Sequence, residues 1–176
     1  MKYFKIATMF FSISLFSNIQ ATAEKYESIY TSLKEDQCIT LYQEHESIVQ
    51  ECPGFGGYQV HLSEFDLRQS ITLLKDGREF PLQFWDTVSP EFSTLGSKAE
   101  WRFIKTDKKL VPIALITRLN AVTGEAANET TSWLVVSKLT DKSICVVGKI
   151  APQKDGSQNI KARDMADMAE GMECLR

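Results

Sequence analysis

Four cysteines, Cys38, Cys52, Cys145 and Cys174, constrain this 176-residue chain more than any other feature. Their weight comes from an N-terminal segment of the kind that sends a chain to a compartment where thiols oxidise. Lys2 and Lys5 precede an apolar run from Ile6 to Phe16, and the polar stretch after it ends in Ala21-Thr22-Ala23, the small-x-small pattern of a signal-peptidase site. The run is short for a bilayer span and leads into no stop-transfer segment. The expectation is a signal peptide over residues 1–23 and an exported chain, periplasmic or secreted, starting at Glu24. An even number of cysteines in that setting reads as two disulfides with three possible connectivities. The expected pairs are the local ones, Cys38–Cys52 within a hairpin and Cys145–Cys174 between a strand and the helix after it. Loop-closure entropy makes the shorter crosslink worth roughly 3 kcal/mol and the longer one slightly more. A metal site is not expected, because there is no Cys-x-x-Cys pair and export disfavours thiolates. The same lack of a vicinal pair argues against redox activity.

Charge narrows the partners. Residues 1–23 hold two lysines and no acid, which leaves 18 basic against 23 acidic side chains in the remaining 153 residues. A mildly acidic chain is a poor nucleic-acid binder, having no excess of cations to exchange for phosphate counterions. It offers nothing to anionic lipid either. The one long apolar run is the leader, so no membrane insertion of the mature chain is expected, and no cofactor motif occurs.

Most of the chain reads as short strands. Glu24 to Asp36 is polar, with Tyr26, Ile29, Tyr30 and Leu33 spaced to tuck one face against something. Gln37 to Tyr42 and Ser47 to Glu51 flank the tip Glu44-His45-Glu46, and each carries a cysteine at its margin. Pro53-Gly54-Phe55-Gly56-Gly57 is a sharp break before a strand from Tyr58 to Leu62. Leu67 to Leu74 and Glu79 to Trp85 are joined by Asp76-Gly77, a hairpin signal. Ala99 to Ile104, Leu110 to Leu119, Ser132 to Leu139 and Ser143 to Ile150 complete the strands, the last two rich in β-branched residues. Ala162, Met165, Ala166, Ala169 and Met172 then follow a helical period. This predicts an amphipathic helix of about four turns over residues 158–172, capped by Ser157 or Asn159. The fold class expected is mainly β: a single-domain antiparallel β sandwich or open barrel over residues 24–176, with one C-terminal helix and two disulfides.

The blocks Cys52-Pro53-Gly54-Phe55-Gly56-Gly57-Tyr58, Asp66-Leu67-Arg68-Gln69-Ser70, Ala99-Glu100-Trp101-Arg102 and Pro112-Ile113-Ala114-Leu115-Ile116 with Arg118 belong together. With Ala162-Arg163 and Ala166-Asp167 before Cys174, they resemble a family of small, uncharacterised exported bacterial proteins. The resemblance implies export and bacterial origin, and it lends no catalytic residue.

Few residues point to chemistry. The glycine turn Pro53–Gly57 can offer backbone N–H groups to an anion or a sugar, but it lacks the lysine and helix of a P-loop; a tight turn beside a disulfide is the simpler account. Phe55 and Tyr58, on that stapled turn, can stack on a glycan ring or a partner side chain. Asp66 and Arg68, two apart, would share one strand face and recognise charge, or form a surface ion pair worth under ~1 kcal/mol. These four residues are the expected partner-binding set. Arg118, within an apolar run, must face solvent, snorkel or pair with an acid, with structural pairing preferred over recognition. Trp85, Trp101 and Trp133 read as core, with a glycan platform the lesser alternative. The helical face of Arg163, Asp164, Asp167 and Glu170 reads as solvated, and Asn128-Glu129-Thr130 is a sequon of consequence only in a eukaryotic secretory pathway.

Two functional classes follow. The first is a non-enzymatic binding or inhibitor module for an envelope protein or glycan, of which an inhibitor of a wall-degrading enzyme is one version. The second is a periplasmic hydrolase assembled in space around His45 or His61, although none of the usual catalytic signatures is present. A structural envelope component is a third possibility.

Overall fold

The computed structural model describes residues 26–123 and 129–176. The signal-peptide reading over residues 1–23, the mature start at Glu24 and Asn128 of the sequon lie outside them. Ten strands pair into one mostly antiparallel open sheet: β1 (Tyr26–Ser32), β2 (Ile39–Glu44), β3 (Ser47–Cys52), β4 (Gln59–Phe65), β5 (Arg68–Lys75), β6 (Arg78–Pro81), β7 (Ser93–Lys105), β8 (Leu110–Thr123), β9 (Glu129–Leu139) and β10 (Ile144–Ile150). A short helix α1 (Phe84–Thr87) follows β6, and α2 (Gln158–Asp167) follows β10.

Sequential hairpins make two meanders, β2-β3-β4-β5-β6 and β7-β8-β9-β10, and β1 joins the second by pairing with β7 from Tyr26↔Ile104 to Ser32↔Lys98. The meanders meet through a single parallel bridge, Arg68↔Ser93. So slight a join lets the sheet fold over on itself. The alternation of each strand then turns one apolar face inward: Val60, Leu62, Ile71 and Leu73 from the first meander enclose a core with Ala99, Trp101, Leu115, Leu119 and Val135 from the second. Trp101 has no exposed surface and donates its indole N–H to Thr31 Oγ1 at 2.9 Å. The opposite face of the second meander takes α2. There Ala162 and Ala166, with Ala169 in the 3₁₀ turn that follows, lie on Ala114, Ile116, Leu134, Val136 and Val147. A β-bulge interrupts β10 between Val146 and Gly148, and a Cβ on Gly148 would meet Met165 Sδ at 2.5 Å.

Both expected disulfides are present. Cys38–Cys52 ties the open end of the β2–β3 hairpin, opposite its turn, and Cys145–Cys174 ties the chain after α2 to β10. Leu175 N–H adds a backbone bond to Val146 O beside the second crosslink.

The structure departs from the sequence reading in four places. Residues 26–32, expected only to tuck one face against something, form β1, because the open edge of β7 offers a full ladder of partners. The strand expected to reach Trp85 ends at Pro81, and Gln83 turns with φ 50° into α1, so Trp85 is helical. The terminal helix breaks at Met168. Its start is held by neither expected cap: Ser157 donates to Asp155 instead, while Gln158 Nε2 donates to the Ser132 and Ile150 carbonyls at 2.7 and 2.9 Å.

Two stability measurements follow. Replacing Cys145 and Cys174 together by serine is expected to cost roughly 3–4 kcal/mol in urea unfolding; a loss below ~1 kcal/mol would show that packing alone holds the C-terminus. Thr117 Oγ1, on β8, is buried without a hydrogen-bond partner among the described residues. Thr117→Val keeps the side-chain shape and removes that burden, so the urea midpoint is expected to rise, by about 1 kcal/mol of stability. An unchanged or lower midpoint would mean that the hydroxyl is satisfied.

Candidate functional site

The four residues expected to bind a partner do not share one surface. Tyr58 precedes β4 and Asp66 follows it, so the strand's length separates the two pairs. The Phe55–Tyr58 end is packed. Phe55 lies on the core with ring centroids 6.2 Å from Trp101 and 5.5 Å from Phe103, and Tyr58 is buried against Trp101 with the Lys75 ammonium over its ring. The glycines there serve close approach: a Cβ on Gly54 would lie 1.8 Å from the Tyr58 carbonyl oxygen, and one on Gly56 2.3 Å from Pro112. The turn is built against its own chain.

The Asp66–Arg68 end is open. Asp66 and Leu67 both have positive φ, 49° and 57°, and form the two-residue turn of the β4–β5 hairpin, so Asp66 is not on a strand face with Arg68. A left-handed leucine costs roughly 1–2 kcal/mol of backbone strain, and its side chain recovers little by burial, being 61% exposed. Phe65 beside it is 63% exposed and Phe92, reached through the 88–92 segment, 42%. Arg68 holds these parts together. It pairs with the Asp66 carboxylate, donates Nε–H to the Pro90 carbonyl at 2.7 Å, and lies over the Phe92 ring at 5.2 Å. Phe65, Arg68, Trp85, Asp86 and Pro90 line a groove of about 290 Å³ beneath. Trp85 therefore lines an open groove, whereas Trp101 is core. Trp133 is half-buried, lies under the Lys149 ammonium, and lines a separate groove beyond the 88–92 segment.

A second polar concavity, about 690 Å³, runs between β1 and α2 and includes Ser28, Arg102, Arg163 and Asp167. Here the helical face expected to be solvated carries instead an ion-pair seam to β7. Arg102 grips Asp167 with two bonds of 2.8 and 2.7 Å. Arg163 Nε donates to Glu100 Oε1 at 2.6 Å, and Ser28 Oγ donates to the same oxygen. Burial pushes the Glu100 carboxyl up, but the bonds from Arg163 and Ser28 outweigh it and hold the group below the ordinary carboxylate range. The Glu100 hydrogen bond likewise raises Arg163. The cations and anions of this seam neutralise one another, which makes it an attachment for the helix. Sequence reasoning missed it, and the signal was the alternation of Glu100 and Arg102 with buried residues on one strand.

Arg118 meets no acid among the described residues. It donates to Ser132 Oγ at 2.8 Å and to Gln158 Oε1 at 3.3 Å, which links β8 to the start of α2. Of the histidines, His45 is exposed in the β2–β3 turn, and His61 Nε2 lies 3.5 Å from Glu51 Oε2 across the β3–β4 ladder. Neither imidazole hydrogen-bonds a serine among the described residues. Those residues also contain no group of three or more metal-ligating side chains and no helix long and apolar enough to cross a membrane.

The seam makes a prediction about pH. A carboxyl whose folded pKa is depressed stabilises the fold fully above its unfolded pKa, and that contribution is lost as the pH falls through the folded value. Glu100→Gln is therefore expected to lower stability at neutral pH and to flatten the acid limb of a stability-against-pH curve. A limb of unchanged slope would remove Glu100 from the acid transition. Comparison with protein-family models, with curated proteins and with solved structures finds no match to this chain.

Proposed function

We propose that this protein is an exported, non-enzymatic binding module of the bacterial envelope that docks a partner through the tip of its β4–β5 hairpin. The observation that carries the reading is the exposure of three large apolar side chains, Phe65, Leu67 and Phe92, around a groove that Arg68 holds in shape. Apolar side chains gathered at one rigid place mark an interaction surface, where scattered ones do not. Two disulfides and the resemblance to exported bacterial proteins support the location. Occlusion of a wall-degrading enzyme is one form such docking takes, since a stiff hairpin tip with an apolar end is shaped to enter a cleft. The hydrolase reading has one point in its favour, the His61–Glu51 pair, but no nucleophile among the described residues is hydrogen-bonded to it.

The test is cross-linked affinity capture from native envelope extract with the tagged, disulfide-intact exported protein, compared with a Phe65→Ser/Leu67→Ser variant. Both side chains are exposed, so the variant is expected to melt within a few degrees of the parent. A partner retained by the parent and lost by the variant supports docking at the tip. Equal capture by both, or none by either, removes it. A Phe55→Ala/Tyr58→Ala variant would be the wrong control, because those rings support Trp101.

A further inference from the structure

Resting on the docking reading above, the charges around the tip narrow the kind of partner it takes. Phe65, Leu67 and Phe92 sit within a rim of acids. Asp66 is in the turn itself, and Glu46 adjoins it through the bond from Asp66 N–H to the Glu46 carbonyl. Asp86 lines the groove, and Glu91 is exposed between Pro90 and Phe92. Among the described residues two cations touch this region, and both are engaged. Arg68 is committed to Asp66, the Pro90 carbonyl and the Phe92 ring. Lys149, across the 88–92 segment, is held on the Val88 carbonyl and over Trp133. Glu46, Asp86 and Glu91 have no ion-pair partner among the described residues, so the rim faces outward as net negative charge around an apolar centre.

An apolar anchor inside a rim of one sign is an interface with its complement specified, because like charges brought together repel while opposite ones speed encounter and fix register. We infer that the tip binds a basic protein, one that places an aromatic or aliphatic side chain in the Phe65–Trp85 groove and lays lysines or arginines over Glu46, Asp86 and Glu91. A second copy of this chain does not fit, since a two-fold interface would set the acid rim against itself. A neutral glycan would use the groove and leave the rim without a role.

The experiment is selection of random displayed dodecapeptides against the disulfide-intact exported protein at low salt, with counter-selection on the Phe65→Ser/Leu67→Ser variant. The expected peptides carry an aromatic or long aliphatic residue flanked by Lys or Arg. Their affinity is expected to fall about tenfold on Asp86→Asn/Glu91→Gln and again at high salt, as exposed charge pairs do. Peptides without a basic bias, peptides that bind the charge variant undiminished, or no enrichment over the serine variant would each overturn the inference. Envelope capture that depends on the tip, together with peptides lacking basic residues, would leave the docking reading standing and remove only its basic partner. Capture that ignores the tip would remove both.

Discussion

Alternation along β7 sets the rest of the molecule. Ala99, Trp101 and Phe103 face the apolar core, so Glu100 and Arg102 necessarily face the other way, onto the surface that α2 covers. Two charges at that depth are tolerable only where opposite charges meet them with good geometry, and α2 delivers Arg163 to Glu100 and Asp167 to Arg102. The small side chains Ala162, Ala166 and Ala169 let the helix approach closely enough for those bonds to form. Cys145–Cys174 and the bond from Lys138 Nζ to the Met172 carbonyl then hold the chain beyond the helix.

That arrangement explains why the two ends of the first meander differ. At the Tyr58 end, aromatic rings close the core over Trp101 and the glycine turn presses on Pro112, so side chains and backbone are both consumed in packing. At the Asp66 end the two-residue turn lies just beyond the last pair of the β3–β4 ladder, Ser47↔Phe65, and the bridge at Arg68↔Ser93, so its side chains project past the ladder. The strained turn and the exposed side chains there stand outside the buried core. They are held in place by Arg68, whose three contacts fix the 88–92 segment against the hairpin.

Much of the fold was legible because period and punctuation are local. Asp76-Gly77, the β-branched runs of β9 and β10, the alanine and methionine spacing of α2, and both disulfide pairs follow from near neighbours in the chain. The failures share a cause. β1 was hidden because its strand character comes from the edge of β7, some seventy residues away, and not from its own spacing. Trp85 was placed on a strand because nothing short of Phe84 entering the core, with its N–H on Ser70 Oγ, turns the chain there. Phe55 and Tyr58 looked available because a glycine turn reads as open until Trp101 and Pro112 are set beside it.

Composition and spacing by themselves determined a β-rich, doubly crosslinked chain with a terminal amphipathic helix, since disulfide loops, hairpin turns and helical periods are short-range properties. Asp66 and Arg68 could be singled out by type, but not their partners. Only the tertiary structure decided that Arg68 braces an apolar tip, that Arg163 and Asp167 pair with β7 in a seam, and that Phe65, Leu67 and Phe92 stand out together. Exposure depends on which faces the folded sheet covers, and those faces come from residues far apart in the chain.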